Sequence, residues 1–307
     1  MTFNDYFPRY IAGKQLQAKG TTVAAYNLLW RVHISPYFGK LNIEDIKNST
    51  CQHYVDSELL KGRAVKSLRD CITLLKNIIK QYCIVNDLPF MAPIIVWPTS
   101  SKIGAVKRDK FQEKDLEAIV KYCRDSQKHW HKLIALAALC GMRIGEAGGI
   151  KFGDFDFLEH TVHVQRTVGR IYNTDGHTEL YINTPKTICS DRVIPVPVWL
   201  CQYYKQYMKL YNKNEDDFVT PGALDGTPFV EPRTLRVGFH SVCEKAGVEY
   251  KPFHCLRHTY ASRLLLKGVD VRTAAELLGH SDVAMTLNIY GHSDNSAKQA
   301  AAKKIFL

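Results

Sequence analysis

Between residues 254 and 292 the chain reads HCLRHTYASRLLLKGVDVRTAAELLGHSDVAMTLNIYGH. His254 and Arg257 stand three residues apart, His280 follows a Leu-Leu-Gly turn, and Tyr290 comes ten residues later. Short helices broken at Gly279 bring two imidazoles, a permanent cation and a phenol into one region. That inventory suits phosphoryl transfer. A guanidinium can hold two non-bridging phosphate oxygens through its planar fork, histidines exchange protons near neutral pH, and a phenol supplies an oxygen nucleophile able to form a covalent intermediate. No carboxylate pair for Mg²⁺ sits beside them. Taken singly, each residue has a structural explanation, since a helical His is more often packed or solvated and a helical Tyr more often core or interface. Their order and spacing together carry the reading.

A second cation stands upstream. HKLIALAALCG reads as a nearly all-apolar, buried helix broken at Gly141, and Arg143 follows in Met142-Arg143-Ile144-Gly145-Glu146. A charge flanked by such apolar sequence needs a partner, either Glu146 or a ligand anion.

The elements that must position these groups follow from periodicity. With 307 residues the chain is long enough for two domains, each with its own core. Residues 1–96 read as helical. Val23, Tyr26, Leu29, Trp30 and Ile34 recur at helical spacing, and a second long helix fits AVKSLRDCITLLKNIIKQYC. On that helix Leu68, Cys71, Ile72, Leu75, Ile78 and Ile79 share one face, while Lys66, Arg69, Lys76 and Lys80 share the opposite one. Such a stripe is either a solvated face or a phosphate-facing one. Residues 97–110, with Pro98, Gly104, Lys107 and Arg108, read as a basic interdomain linker.

Residues 111–292 form the second domain. Two helices are followed by β-pattern at Thr161 to Gln165, Glu179 to Asn183 and Asp191 to Pro197, which predicts one short antiparallel sheet. Further helices lead into the His254 segment. The expected class is mainly α with a small antiparallel β-sheet. Residues 293–307 make a short tail ending in Ile305, Phe306 and Leu307, too brief to bury its own apolar end.

Composition narrows the partners. Lys and Arg outnumber Asp and Glu by 41 to 30, a net +11, and residues 1–100 hold twelve basic against seven acidic side chains, a net +5. The excess favours a polyanionic partner. Nine scattered cysteines with no C-x-x-C pair argue against a disulfide framework and against zinc, and His129/His131 and His160/His163 lack acidic or thiol partners at ligand spacing. No stretch of 18 apolar residues occurs, and with the cysteine usage this leads to the expectation of a reduced, cytoplasmic protein without membrane contact.

His254-x-x-Arg257, Gly279-His280 and Tyr290, with CGMRIGE around Arg143, resemble the tyrosine recombinases, the integrase family of site-specific DNA recombinases. ISPYFGKLNIEDI in the helical half is similar to the family's core-binding domain, though less specifically. The resemblance implies an N-terminal helical DNA-clamping domain and a mixed α/β catalytic domain. It implies that Arg143, Lys186, His254, Arg257, His280 and Tyr290 are catalytic, with Tyr290 the nucleophile that forms a 3′-phosphotyrosyl link. Lys186 is identified only through the similarity of TPKT to the family's hairpin lysine. Further implications are double-stranded DNA sites, a homotetramer on DNA, accessory DNA-bending or directionality proteins, no cofactor and no metal, and a tail exchanged between protomers. Integration or excision of a phage or mobile element is the expected task. A chromosome-dimer resolvase, a DNA invertase, a type IB topoisomerase and a non-catalytic DNA-binding regulator are the alternatives.

Overall fold

The computed structural model describes residues 1–99, 109–172, 177–184, 188–222 and 226–290, with backbone alone at 172, 188 and 288–290. Lys107, Arg108, Lys186 and the tail 293–307 lie outside the described residues. Contacts divide the chain into two units, Met1–Val106 with Ile171–Glu179, and Lys107–Arg170 with Leu180–Leu307.

The first unit is a helical bundle: α1 (Phe3–Gln15), α2 (Gly20–Leu29), α3 (Ser35–Phe38), α4 (Asn48–Leu60) and α5 (Val65–Val85). A reciprocal box starts α1, where the Asp5 N–H donates to Thr2 Oγ1 and the Thr2 N–H to the Asp5 carboxylate. Between α2 and α3 the chain makes a π-turn over Trp30–Ile34. Pro36 has no N–H to return to the carbonyl four residues back, and the Ser35 N–H bonds the Trp30 carbonyl instead. Aromatic side chains fill the interior, with Phe7 stacked on Trp30 at 4.2 Å and Phe3, Phe38 and Tyr54 fully buried. The expected apolar face of α5 is buried throughout.

The segment after α5 is not free of this bundle up to Trp97. Asn48 and Gln52, one turn apart on α4, accept from the Ile94 and Val96 N–H groups at 3.0 and 2.9 Å, and Gln52 also donates to the Val96 carbonyl at 3.2 Å. Phe90, Ile95 and Trp97 pack on the core, and the Arg69 guanidinium lies over the Trp97 ring at 5.3 Å. Two side-chain amides thus act as a short strand edge for an extended segment.

The second unit begins with α6 (Glu113–Asp125), α7 (His129–Cys140) and α8 (Ile144–Gly148). Leu133 to Ala138 are buried on every side of α7, as its apolar sequence predicts. Lys132 is buried too, and its ammonium donates to the Arg124 and Ser126 carbonyls at the end of α6. Five strands follow: β1 (Phe155–Asp156), β2 (Thr161–Val164), β3 (Thr167–Tyr172), β4 (Thr178–Asn183) and β5 (Arg192–Pro195).

The single expected sheet is in fact two. β1-β2-β5 form one antiparallel sheet, with Val164 opposite Arg192, while β3 and β4 pair only with each other. The stretch Glu179 to Asn183 therefore belongs to a separate pair, whose other strand, β3, is parted from β2 by Gln165 and Arg166 alone. The unit closes with α9 (Val198–Leu210), α10 (Pro232–Lys245), α11 (His254–Leu266), α12 (Val271–Leu278) and α13 (Val283–Tyr290). Among the described residues no helix is long and apolar enough to cross a membrane.

Candidate active site

The site is assembled on the C-terminal end of α12. Carbonyls in the last turn of a helix have no partner within it and carry the negative end of the helix dipole. Here three successive carbonyls each accept from a different arginine. Arg192 donates to Leu277 at 2.8 Å, Arg257 to Leu278, and Arg143 to Gly279 at 3.1 Å. Arginines from β5, α11 and the start of α8 are drawn to one helix end, and His280 is the next residue.

Arg257 is 1% exposed. Burying a guanidinium costs several kcal/mol before compensation. Its second bond, to the Gly141 carbonyl at 2.9 Å, falls at the end of α7, so the cation bridges the negative ends of two helices. Gly141 has φ +62°, and a Cβ there would run into the Tyr260 ring on α11. Glycine thus ends α7 and lets α11 approach closely enough for the bond. Burial, followed by the Arg143 charge, pushes Arg257 down to about 9, and it keeps its proton at neutral pH.

Arg143 sits at the N-cap of α8, the unfavourable end for a cation. Glu146 in the first turn offsets this. Its carboxylate accepts from the Arg143 N–H at 2.9 Å and from the guanidinium at 2.6 Å. Glu146 is itself 5% exposed and also accepts from Arg192 at 2.9 and 3.3 Å. Burial would raise this carboxyl, but the hydrogen bonds and charge of Arg192, followed by Arg143, outweigh it and hold Glu146 below the ordinary carboxylate range. Among the described residues Glu146 is thus the one carboxylate bonded within the group of three arginines, by Arg143 and Arg192, while Arg257 bonds carbonyls alone. Two positive charges are left for an anion.

His280 follows Gly279, whose φ of +65° ends α12, and a Cβ on Gly279 would lie 2.9 Å from both Arg192 and the Cys189 carbonyl. The His280 N–H donates to the Ala275 carbonyl at 3.0 Å, and its Nδ1 lies 2.8 Å from the Thr286 hydroxyl. Burial first, then Arg257, Arg143 and Arg192, push the imidazole down to about 4. It is neutral at physiological pH. His254 opens α11 exposed, its ring 4.5 Å from that of His258. Tyr290 closes α13, whose 8 residues make about two turns. Lys186 lies outside the described residues, a few positions before β5.

The structure thus groups Arg143, Arg257 and His280 and adds Arg192, which was not among the expected site residues. A signal existed. Along β5 burial alternates with Arg192 and Ile194 inward, so a charge shares the face of a core isoleucine. On α5, Lys66, Arg69 and Lys80 are exposed and Lys76 is half-buried.

The chain thus has a helical bundle and an α/β unit, and the second unit gathers three arginines and a neutral imidazole at one helix end, with Tyr290 on the helix that follows. The comparisons give the chain its family. The model described as the phage integrase family matches residues 109–297, and the phage integrase N-terminal SAM-like domain matches residues 2–59. A tyrosine recombinase XerC-like protein of Caldanaerobacter subterraneus subsp. tengcongensis is 27% identical over 304 residues, covering 91% of this chain and 75% of that one. The transposase from transposon Tn916 of Enterococcus faecalis is 25% identical over 207 residues, covering 63% of this chain and 49% of its own. The fold is similar to that of a Tn1549 transposon integrase in complex with transposon right end DNA, with a TM-score of 0.77, 21% identity and full coverage of both chains. It is also similar to a lambda integrase tetramer bound to a Holliday junction, with a TM-score of 0.64, 16% identity, 94% of this chain and 77% of that one. The chain belongs to the phage integrase family and is a tyrosine-type site-specific recombinase.

Proposed function

We propose that this recombinase cuts and rejoins double-stranded DNA at specific sites for a phage or other mobile element, through a 3′-phosphotyrosyl link on Tyr290. The observation that carries the reading is the helix end at Leu277 to Gly279, where three arginines converge with one bonded carboxylate and so carry more positive charge than it balances. Arg143 and Arg257 hold the non-bridging oxygens and stabilise the charge that grows on them in the pentavalent transition state. His280, neutral, adds a hydrogen bond to the same oxygens. Tyr290 attacks phosphorus, the phosphorus to 5′-oxygen bond breaks, His254 takes up the tyrosine proton and Lys186 protonates the departing 5′-oxygen. Glu146 and Arg192 do not touch the DNA but fix Arg143.

The phosphotyrosyl link keeps the energy of the broken bond, so a 5′-hydroxyl can reverse the step without ATP. Exchange between two sites needs four active tyrosines, which makes a tetramer on DNA the working assembly. The mobile-element assignment is supported by the Tn916 transposase and the Tn1549 integrase among the similar proteins. Accessory DNA-bending proteins belong to the same proposal, as does residence with the DNA in the cytoplasm.

The experiment that tests the function is trapping. A nicked duplex made from the DNA flanking the encoding gene loses its cut fragment by diffusion, and the wild-type chain is expected to give a protein-DNA band that survives denaturation. No such band on any of the flanking DNA overturns the reading.

The first unit is proposed to clamp the duplex through Lys66, Arg69, Lys76 and Lys80, with Lys107 and Arg108 passing beside it. Each phosphate neutralised contributes about 0.9 to the slope of log affinity against log salt. Arg69 is already engaged with Trp97 and Lys76 is half-buried. Lys66→Gln with Lys80→Gln alone should therefore flatten the slope by roughly 2, without lowering the melting temperature. An unchanged slope makes the stripe a solvated face.

A further inference from the structure

Tyr290 is not the only residue of α13 that bears on the site. Thr286, one turn earlier, is fully buried, and its hydroxyl lies 2.8 Å from His280 Nδ1. A threonine within a helix commonly returns its proton to the carbonyl four residues back, as Thr259 does to Cys255 at 2.7 Å. Among the described residues the Thr286 hydroxyl has no partner except His280. A buried hydroxyl that leaves its proton unused is costly, and the acceptor in reach is Nδ1. An imidazole that accepts at Nδ1 carries its proton on Nε2.

The surroundings give that choice a consequence. The backbone of His280 is tied to Ala275 by its N–H and set by the left-handed Gly279, so ring rotation and tautomer are what remain open. Burial and the charges of Arg257, Arg143 and Arg192 oppose a second proton on the ring. A neutral imidazole has one N–H to give. If it pointed at Thr286, the other nitrogen would meet a phosphate oxygen with a lone pair against a lone pair.

We propose that Thr286 is a positioning residue of the cleavage step: by donating to Nδ1 it holds His280 with its proton on Nε2, available to a phosphate oxygen. Because Thr286 rides on α13, the histidine is set only when the helix carrying Tyr290 is seated, and the anion site and the nucleophile become ready together. This rests on the roles proposed above for His280 and Tyr290.

The test uses the full chain and the nicked duplex, with single-turnover adduct formation at saturating protein and DNA affinity measured separately. Thr286→Val keeps the shape and loses the hydroxyl, so adduct formation should slow roughly tenfold to a hundredfold, less than the 10²–10³ lost with a transition-state donor itself, because the ring can still take the productive tautomer part of the time. DNA affinity should stay unchanged. Thr286→Ser, with the hydroxyl restored and a methyl removed, should recover most of the rate. In a His280→Ala background Thr286→Val should cost nothing further, because its route to the phosphate is gone.

A Val variant as fast as wild type, a Ser variant as slow as Val, or a loss that multiplies with that of His280→Ala overturns the proposal and returns Thr286 to a packing role. His280→Ala cleaving at the wild-type rate removes the histidine's role itself, and with it the proposal. That result is told apart from the others because it needs no change at Thr286.

Discussion

Tyr290→Phe is expected to bind its DNA as tightly as the parent chain and to form no covalent adduct, a loss of at least about 10⁴-fold when a nucleophile is removed from a site whose parts act as a unit. Phenylalanine keeps the ring and lacks only the oxygen that attacks. The loss should not depend on the leaving group. Substituting sulfur for the scissile 5′-bridging oxygen leaves a thiolate, which departs without a proton because its conjugate acid is several units stronger than an alcohol. Lys186→Ala should therefore cleave an ordinary phosphodiester poorly and the sulfur substrate well, whereas Tyr290→Phe should fail on both. A denaturation-resistant band persisting in Tyr290→Phe would move the nucleophile elsewhere. Rescue of His254→Ala in place of Lys186→Ala would move the acid to the histidine.

Local chemistry was legible in the sequence to the extent that it was local. His254, Arg257, Gly279 and His280 lie within 27 positions, and Gly279 does what a glycine after an apolar helical run does, ending α12 with positive φ. Arg143 was legible because a charge next to the apolar α7 had to find a partner, and Glu146 is that partner at 2.6 Å. The buried face of α5 followed from its spacing alone. What escaped depended on contacts across long stretches of chain. Arg192 is joined to Glu146, 46 residues away, and to Leu277, 85 away, and neither separation leaves a periodic trace. Thr286 sits among apolar neighbours in α13 with nothing in its sequence context to mark it.

The one correction of architecture, two sheets for the single one expected, has the same origin. β3 and β4 satisfy each other, and strand pattern states that a segment is extended without stating its partner, so three stretches in a row read as one sheet. Residues 90–97, just before the expected linker, lack helical periodicity, yet Asn48 and Gln52 supply the hydrogen bonds that hold Ile94 and Val96 to α4. A side-chain amide one turn from another on a helix is too common in sequence to signal such a role.

Arg257→Lys separates charge from geometry and should slow adduct formation roughly 10²–10³-fold, the usual cost of one transition-state donor. The guanidinium spends one nitrogen on the Gly141 carbonyl and another on Leu278, at the ends of α7 and α12, and still has N–H groups for two phosphate oxygens. An ammonium has one nitrogen, which cannot span both helix ends and face the phosphate as well. One of the buried carbonyls should be left unpaired, at about 1–3 kcal/mol, which for a unit of this size lowers the melting temperature by roughly 2–10 °C. DNA affinity should change little, since one contact among many phosphates is altered. Adduct rates must therefore be compared well below the lowered melting temperature. If Arg257→Lys melts early but cleaves within about threefold of the parent, against the loss expected for a transition-state donor, Arg257 is a clamp between two helices and the non-bridging oxygens are held by Arg143 and His280 alone.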